Sequence, residues 1–125
     1  MDVFRLNGNG YWGITCRETP GGSYYTIFIN EKGEYGYGET RNDKVFLNIL
    51  GSSSEILTKK SQVNKITAEC RGENLNLSIE DSLLFQVKVD KIGPGWAGMM
   101  VGTTDESDSI EVVFDNIEIW GPVNY

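Results

Sequence analysis

The sequence predicts an all-β fold, an antiparallel two-sheet jelly-roll sandwich forming a single domain over residues 1–125. Three observations predict it. Turn signals recur about every ten residues. The runs between them either alternate apolar with polar or stay apolar, and are rich in Val, Ile and aromatics. No stretch sustains a helical period. A chain of 125 residues can also bury a core without a structural metal.

The elements follow in order. Residues 11–17, YWGITCR, form the first clear strand, with Trp12, Ile14 and Cys16 sharing a face. A Pro20-Gly21-Gly22 turn leads to residues 24–30, YYTIFIN, which pair with residues 34–39 across Asn30-Glu31-Lys32-Gly33. Val45, Leu47 and Ile49 alternate in the next strand. Gly51-Ser52-Ser53-Ser54 is a loop, and residues 54–60, SEILTKK, are the one plausible helical turn. Residues 63–70, 74–79 and 83–89 are three further strands, the last two joined by the short turn Glu80-Asp81-Ser82. Residues 95–101 follow a Gly-Pro-Gly break.

The closing run, IEVVFDNIEIWGP at residues 110–122, changes step. Ile110, Val112 and Phe114 are apolar on even positions, Ile117 and Ile119 on odd ones. Strand side chains alternate faces, so the shift predicts a β-bulge at Asp115-Asn116.

Composition excludes several functions. A net charge of −7 argues against binding to a nucleic-acid backbone or an anionic membrane surface. No apolar run approaches the ~20 residues of a membrane span, so membrane insertion is not expected. The chain has no histidine, which rules out a Ser-His-Asp or Cys-His nucleophile and any His-ligated metal. Cys16 and Cys70 are either two buried small hydrophobes or one disulfide between neighbouring strands. The second reading would imply an oxidising compartment.

Glycoside hydrolysis needs two carboxyls ~5.5 Å apart for retention, or up to ~9.5 Å for inversion. No predicted strand carries an acid-x-acid pair, and Glu111 and Asp115 would stand ~13 Å apart. No catalytic residue is therefore assigned. The acidic loop TTDESDS offers oxygens to calcium but lacks the spacing of a calcium loop, and reads first as a solvated turn. No cofactor is otherwise expected. Rings are the better candidates for ligand contact, since sugar C–H faces stack on them. Tyr24, Tyr35, Tyr37, Trp12 and Trp96 form that set. Tyr35 and Tyr37, in GEYGYGE, read equally as cross-strand pairs covering a glycine-rich strand, and Trp12 and Trp96 also read as core.

Motifs in both halves carry a resemblance. Asn64 opens a strand, Cys70 and Gly72 follow, then a strand pair, Gly95 and Gly98, and the closing Phe114-Asp115-Asn116. YWGITCR with YYTIFI matches an earlier strand pair. In these features the chain resembles the concanavalin A-like lectin/glucanase (laminin-G-like) jelly rolls. It is closest to bacterial surface and lipoprotein modules akin to the 3-keto-disaccharide hydrolase domain. The resemblance implies sugar binding, glycan hydrolysis or adhesion. It also implies further N-terminal strands, so the chain is expected to enter the fold part-way, with MDVFRLNGNG at best a short edge strand.

The resulting expectation is a non-catalytic binding or adhesion module for a neutral carbohydrate, outside the cytoplasm. One alternative is an assembly domain that pairs through an exposed sheet edge with another protein chain or a second copy. The other is a diverged glycoside hydrolase.

Overall fold

The computed structural model describes residues 1–16, 24–42, 44–89, 97–105 and 107–118. Among these, ten strands follow one another: β1 (Asp2–Gly8), β2 (Tyr11–Cys16), β3 (Tyr24–Asn30), β4 (Glu34–Arg41), β5 (Lys44–Ser52), β6 (Asn64–Arg71), β7 (Asn74–Ile79), β8 (Ser82–Lys88), β9 (Ala97–Gly102) and β10 (Ile110–Asp115). They form two five-stranded antiparallel sheets, ordered β10-β1-β6-β7-β8 (sheet one) and β5-β4-β3-β2-β9 (sheet two). Packed face to face, these make a two-sheet sandwich compatible with a jelly roll.

Alternation decides which side chains fill the space between the sheets. On β7, Leu75, Leu77 and Ile79 are buried while Asn74, Asn76 and Ser78 point the other way. Ile66 of β6 and Val3 of β1 join them, facing Trp12 and Cys16 of β2 and Tyr25, Ile27 and Ile29 of β3. Each such side chain contributes about 1.5–3 kcal/mol by leaving water. Strand β3 is buried on its other face too, through Thr26 and Phe28, which accounts for its unbroken apolar run.

Cys16 and Cys70 form a disulfide with Cα atoms 6.4 Å apart. It ties β2 of one sheet to β6 of the other, so it crosses the core and does not join neighbours in one sheet. Closing a loop across 54 positions of sequence stabilises the fold by about 4 kcal/mol.

Three expectations are corrected. The start MDVFRLNGNG is an interior strand: β1 lies between β10 and β6. It was hard to see because its own pattern slips, Leu6 being an extra residue between the pairs Arg5–Val112 and Asn7–Glu111. The bulge of this strand pair is therefore on β1. At Asp115-Asn116 strand β10 ends instead: Asn116 adopts φ 52°, its N–H bonds the Asp115 carboxylate, and its side-chain amide donates to Asp2. Residues 54–60 contain no helix. A turn there, with Ile56 N–H donating to the Ser53 carbonyl, drops Ile56 into the core at 3% exposure.

That segment is held from two sides. Buried Asn64 accepts from Leu57 N–H at 2.8 Å and donates to the Leu57 carbonyl at 2.9 Å, as a neighbouring strand would. The Arg5 guanidinium donates to the carbonyls of Thr58 and Gly8.

Candidate functional site

The hairpin of β3 and β4 positions the rings singled out in the sequence. Register places Tyr35 opposite Ile29 and Tyr37 opposite Ile27, so both tyrosines share the face of core residues. They reach across to Phe85 of β8: Tyr35 stacks on it at 6.0 Å and 5° between planes, and Tyr37 lies tilted at 6.4 Å. Gly36 and Gly38, which alternate with them, are buried on the opposite face, where a Cβ at Gly38 would meet Leu47 at 2.8 Å. Both rings are half-buried, and their accessible edges are smaller than the glycine-rich sequence suggests.

Trp12 is 1% exposed within the core, and its indole N–H has no partner among the described residues. Tyr24 is half-buried on the outer face of sheet two, opposite Thr40. Tyr11 shares that face, its ring edge-on to Phe28 at 5.6 Å. Burial, and then the neighbouring Tyr24, push the Tyr11 hydroxyl above the ordinary phenol range. Trp96 lies outside the described residues. The four candidate rings among the described residues are thus not brought to one surface.

The acidic features are also dispersed. In TTDESDS the Asp105 carboxylate accepts from the Ser107 N–H at 2.9 Å and its hydroxyl at 2.8 Å. The backbone bond first, then the hydroxyl, lowers its pKa. This is a self-capped turn, and among the described residues no three metal-ligating acids or cysteines come together. The carboxylates that register places side by side are Asp2 and Asp115, on adjacent strands, a pair invisible to any same-strand search. Glu111 lies further along β10.

What the sequence pattern does not reveal is the exposure of β5. This nine-residue strand, KVFLNILGS, is an edge of sheet two, and Lys44 is its one charge. Phe85 of β8 meets the tyrosines of β4, and β8 is itself the last strand of sheet one. No described strand therefore lies opposite β5, and it overhangs the sandwich. Its apolar side chains are exposed on both faces: Val45 46% and Ile49 55% on one, Phe46 55% on the other, with Leu50 at 42% on a bulge opposite Tyr35 and Gly36. Beside Phe46 an open cleft of about 500 Å³ is lined by Glu39, Arg41, Asn42 and Lys44. Within it the Arg41 guanidinium pairs with the Glu39 carboxylate. The signal available in the sequence was five apolar residues on both parities with a single charge.

Comparison with known proteins adds little beyond this. No family model matches the chain, and no solved structure does so with significance. The chain is 25% identical over 113 residues to Restriction of telomere capping protein 5 of the yeast Zygosaccharomyces rouxii. The match covers 88% of this chain and 20% of that protein, so the chain spans about a fifth of the relative's length.

Proposed function

We propose that this domain is a non-catalytic binding module that engages another polypeptide by adding its strand to β5. One observation carries the reading. β5 is a long edge strand with exposed apolar side chains on both faces and almost no charge to deter pairing. Such an edge presents unpaired N–H and C=O groups, and strand addition satisfies them while covering alternate side chains.

The binding class is the leading expectation from the sequence, while its mode, pairing through an exposed sheet edge, is the first alternative to that expectation. Saccharide binding through Tyr35, Tyr37 or Trp12 is less well supported, because these rings spend their area on Phe85 and the core. The concanavalin A-like ancestry remains our reading of the motifs, in keeping with the paired five-stranded sheets. The Cys16–Cys70 disulfide supports a site of action in an oxidising compartment. The yeast relative's name concerns telomere capping. With a net charge of −7, any comparable role for this chain would run through protein contacts and not through DNA phosphates.

A displayed library of random nonapeptides, selected on the intact chain, tests the proposal. Peptides with alternating apolar residues should be enriched, and should lose binding to a Leu47→Lys, Ile49→Lys double variant that remains folded. Enriched peptides that bind the double variant equally well would overturn the reading. Retention of neutral glycans on an array, lost on Tyr35→Ala with Tyr37→Ala, would restore the saccharide ligand.

A further inference from the structure

We infer that the strand β5 receives is the β5 of a second copy, paired antiparallel about a two-fold axis at Asn48. The inference rests on the strand-addition reading and names its occupant.

The argument lies in the order of residues along the strand. Read outward from Asn48, KVFLNILGS is close to a palindrome: Leu47 and Ile49 flank it, then Phe46 and Leu50, then Val45 and Gly51, then Lys44 and Ser52. An antiparallel pair centred on Asn48 therefore sets Leu47 against Ile49 of the other copy on the outer face. It sets Asn48 against its own equivalent, where two amides can each donate and accept. Over residues 47–49 opposed side chains have the same parity and share a face; beyond Ile49 the bulge at Leu50 breaks the step.

Charge points the same way. Lys44 lies at one end of the edge; at the other, Ser52 pairs with Glu34 of the next strand. The two-fold operation brings Lys44 of each copy to the end of the other that carries Ser52 and Glu34. A two-fold contact is self-complementary by construction, and this strand has the composition for it.

The geometry of the overhang adds a third observation. Phe46 projects on the core side of sheet two, past the last strand of sheet one. With the axis perpendicular to the sheet, both sheet-one layers lie on the same side of a continuous ten-stranded sheet. The clefts of the two copies, each lined by Glu39, Arg41, Asn42, Lys44 and Phe46, then lie at opposite ends of the seam. Against the pairing stands the repulsion of two chains of charge −7, which salt screens.

Sedimentation of the full chain, from about 1 to 500 µM in low and high salt, reads the association. The mass should rise to twice the monomer with concentration, and the transition should move to lower concentration as salt is added. Asn48→Cys tests the register: opposed residues have Cα atoms ~4.5–5.5 Å apart, within disulfide range. Mild oxidation should cross-link most of this variant between copies, and should leave Lys44→Cys, whose equivalents stand far apart, uncross-linked. Ile49→Lys should remain monomeric with an unchanged circular dichroism spectrum.

A monomer at every concentration overturns the inference. So does a dimer in which Asn48→Cys fails to cross-link, or one that survives Ile49→Lys. If the chain stays monomeric yet displayed peptides still select β5, the strand-addition reading stands and only the second copy falls. If no peptide selects β5 either, both fall.

Discussion

β7 and β5 are built from similar residues and end in opposite situations. β7, NLNLSI, alternates strictly, has a strand on each side and faces the other sheet, so Leu75, Leu77 and Ile79 vanish into the core. β5, KVFLNILGS, has a strand on one side only and nothing described across from it, so its apolar residues remain in contact with solvent. An apolar side chain reports a core when a second layer stands opposite it. Where no layer stands opposite, the same side chain reports a surface that something else covers.

The comparison can be broken most strongly at the link that holds the layers together. Replacing Cys16 and Cys70 with serine should cost about 4 kcal/mol in denaturant-measured stability, because the bridge crosses between the sheets where they overlap. A loss below about 1 kcal/mol would mean that packing alone fixes the sandwich.

Next comes the contrast itself. Leu77→Ala should cost about 3 kcal/mol, through lost transfer energy and the cavity left behind. Ile49→Ala in β5 should change monomer stability by no more than about 0.5 kcal/mol. Equal costs at the two sites would show that β5 is covered within the monomer.

A smaller effect separates loop from layer. Asn64→Ala removes both bonds to Leu57 and leaves that backbone unpaired, for a loss of about 2 kcal/mol. Ile56 should become solvent-accessible in the same variant, as followed by exchange of the amides around it. The smallest change is a gain. Glu80, at the turn joining β7 to β8, adopts φ 54°, a conformation that favours glycine. Glu80→Gly should raise the midpoint of unfolding by an amount equivalent to about 0.5–1 kcal/mol.

These sites also show what the sequence can and cannot express. Strands 24–30, 34–39 and 74–79 were legible because pattern and turn residues agree along each of them. β1 was not, because the extra residue at Leu6 breaks its alternation where the apolar stripe would be read. The disulfide partners were the two cysteines the chain has, but their placement on facing sheets depends on strand order, which no local pattern encodes. Tyr35 and Tyr37 look like exposed rings between glycines. Only their register with Ile29 and Ile27 turns them inward. In sequence β5 looks like an ordinary alternating strand through Val45, Leu47 and Ile49, a pattern that leaves Phe46 and Leu50 unaccounted for. Its exposure follows from the absence of a layer opposite, a property of the whole fold.

Backbone amide exchange along β5 tests the strand-addition account most directly. In dilute solution alternate amides of residues 44–52 should exchange rapidly, since one side of the strand is unpaired, while those of 75–79 exchange slowly throughout. When a selected β5-binding peptide is added to saturation, the fast amides should slow to the rate of their neighbours. Amides of β5 already as protected as those of β7 in the dilute chain, or still fast in the saturated complex, would contradict it.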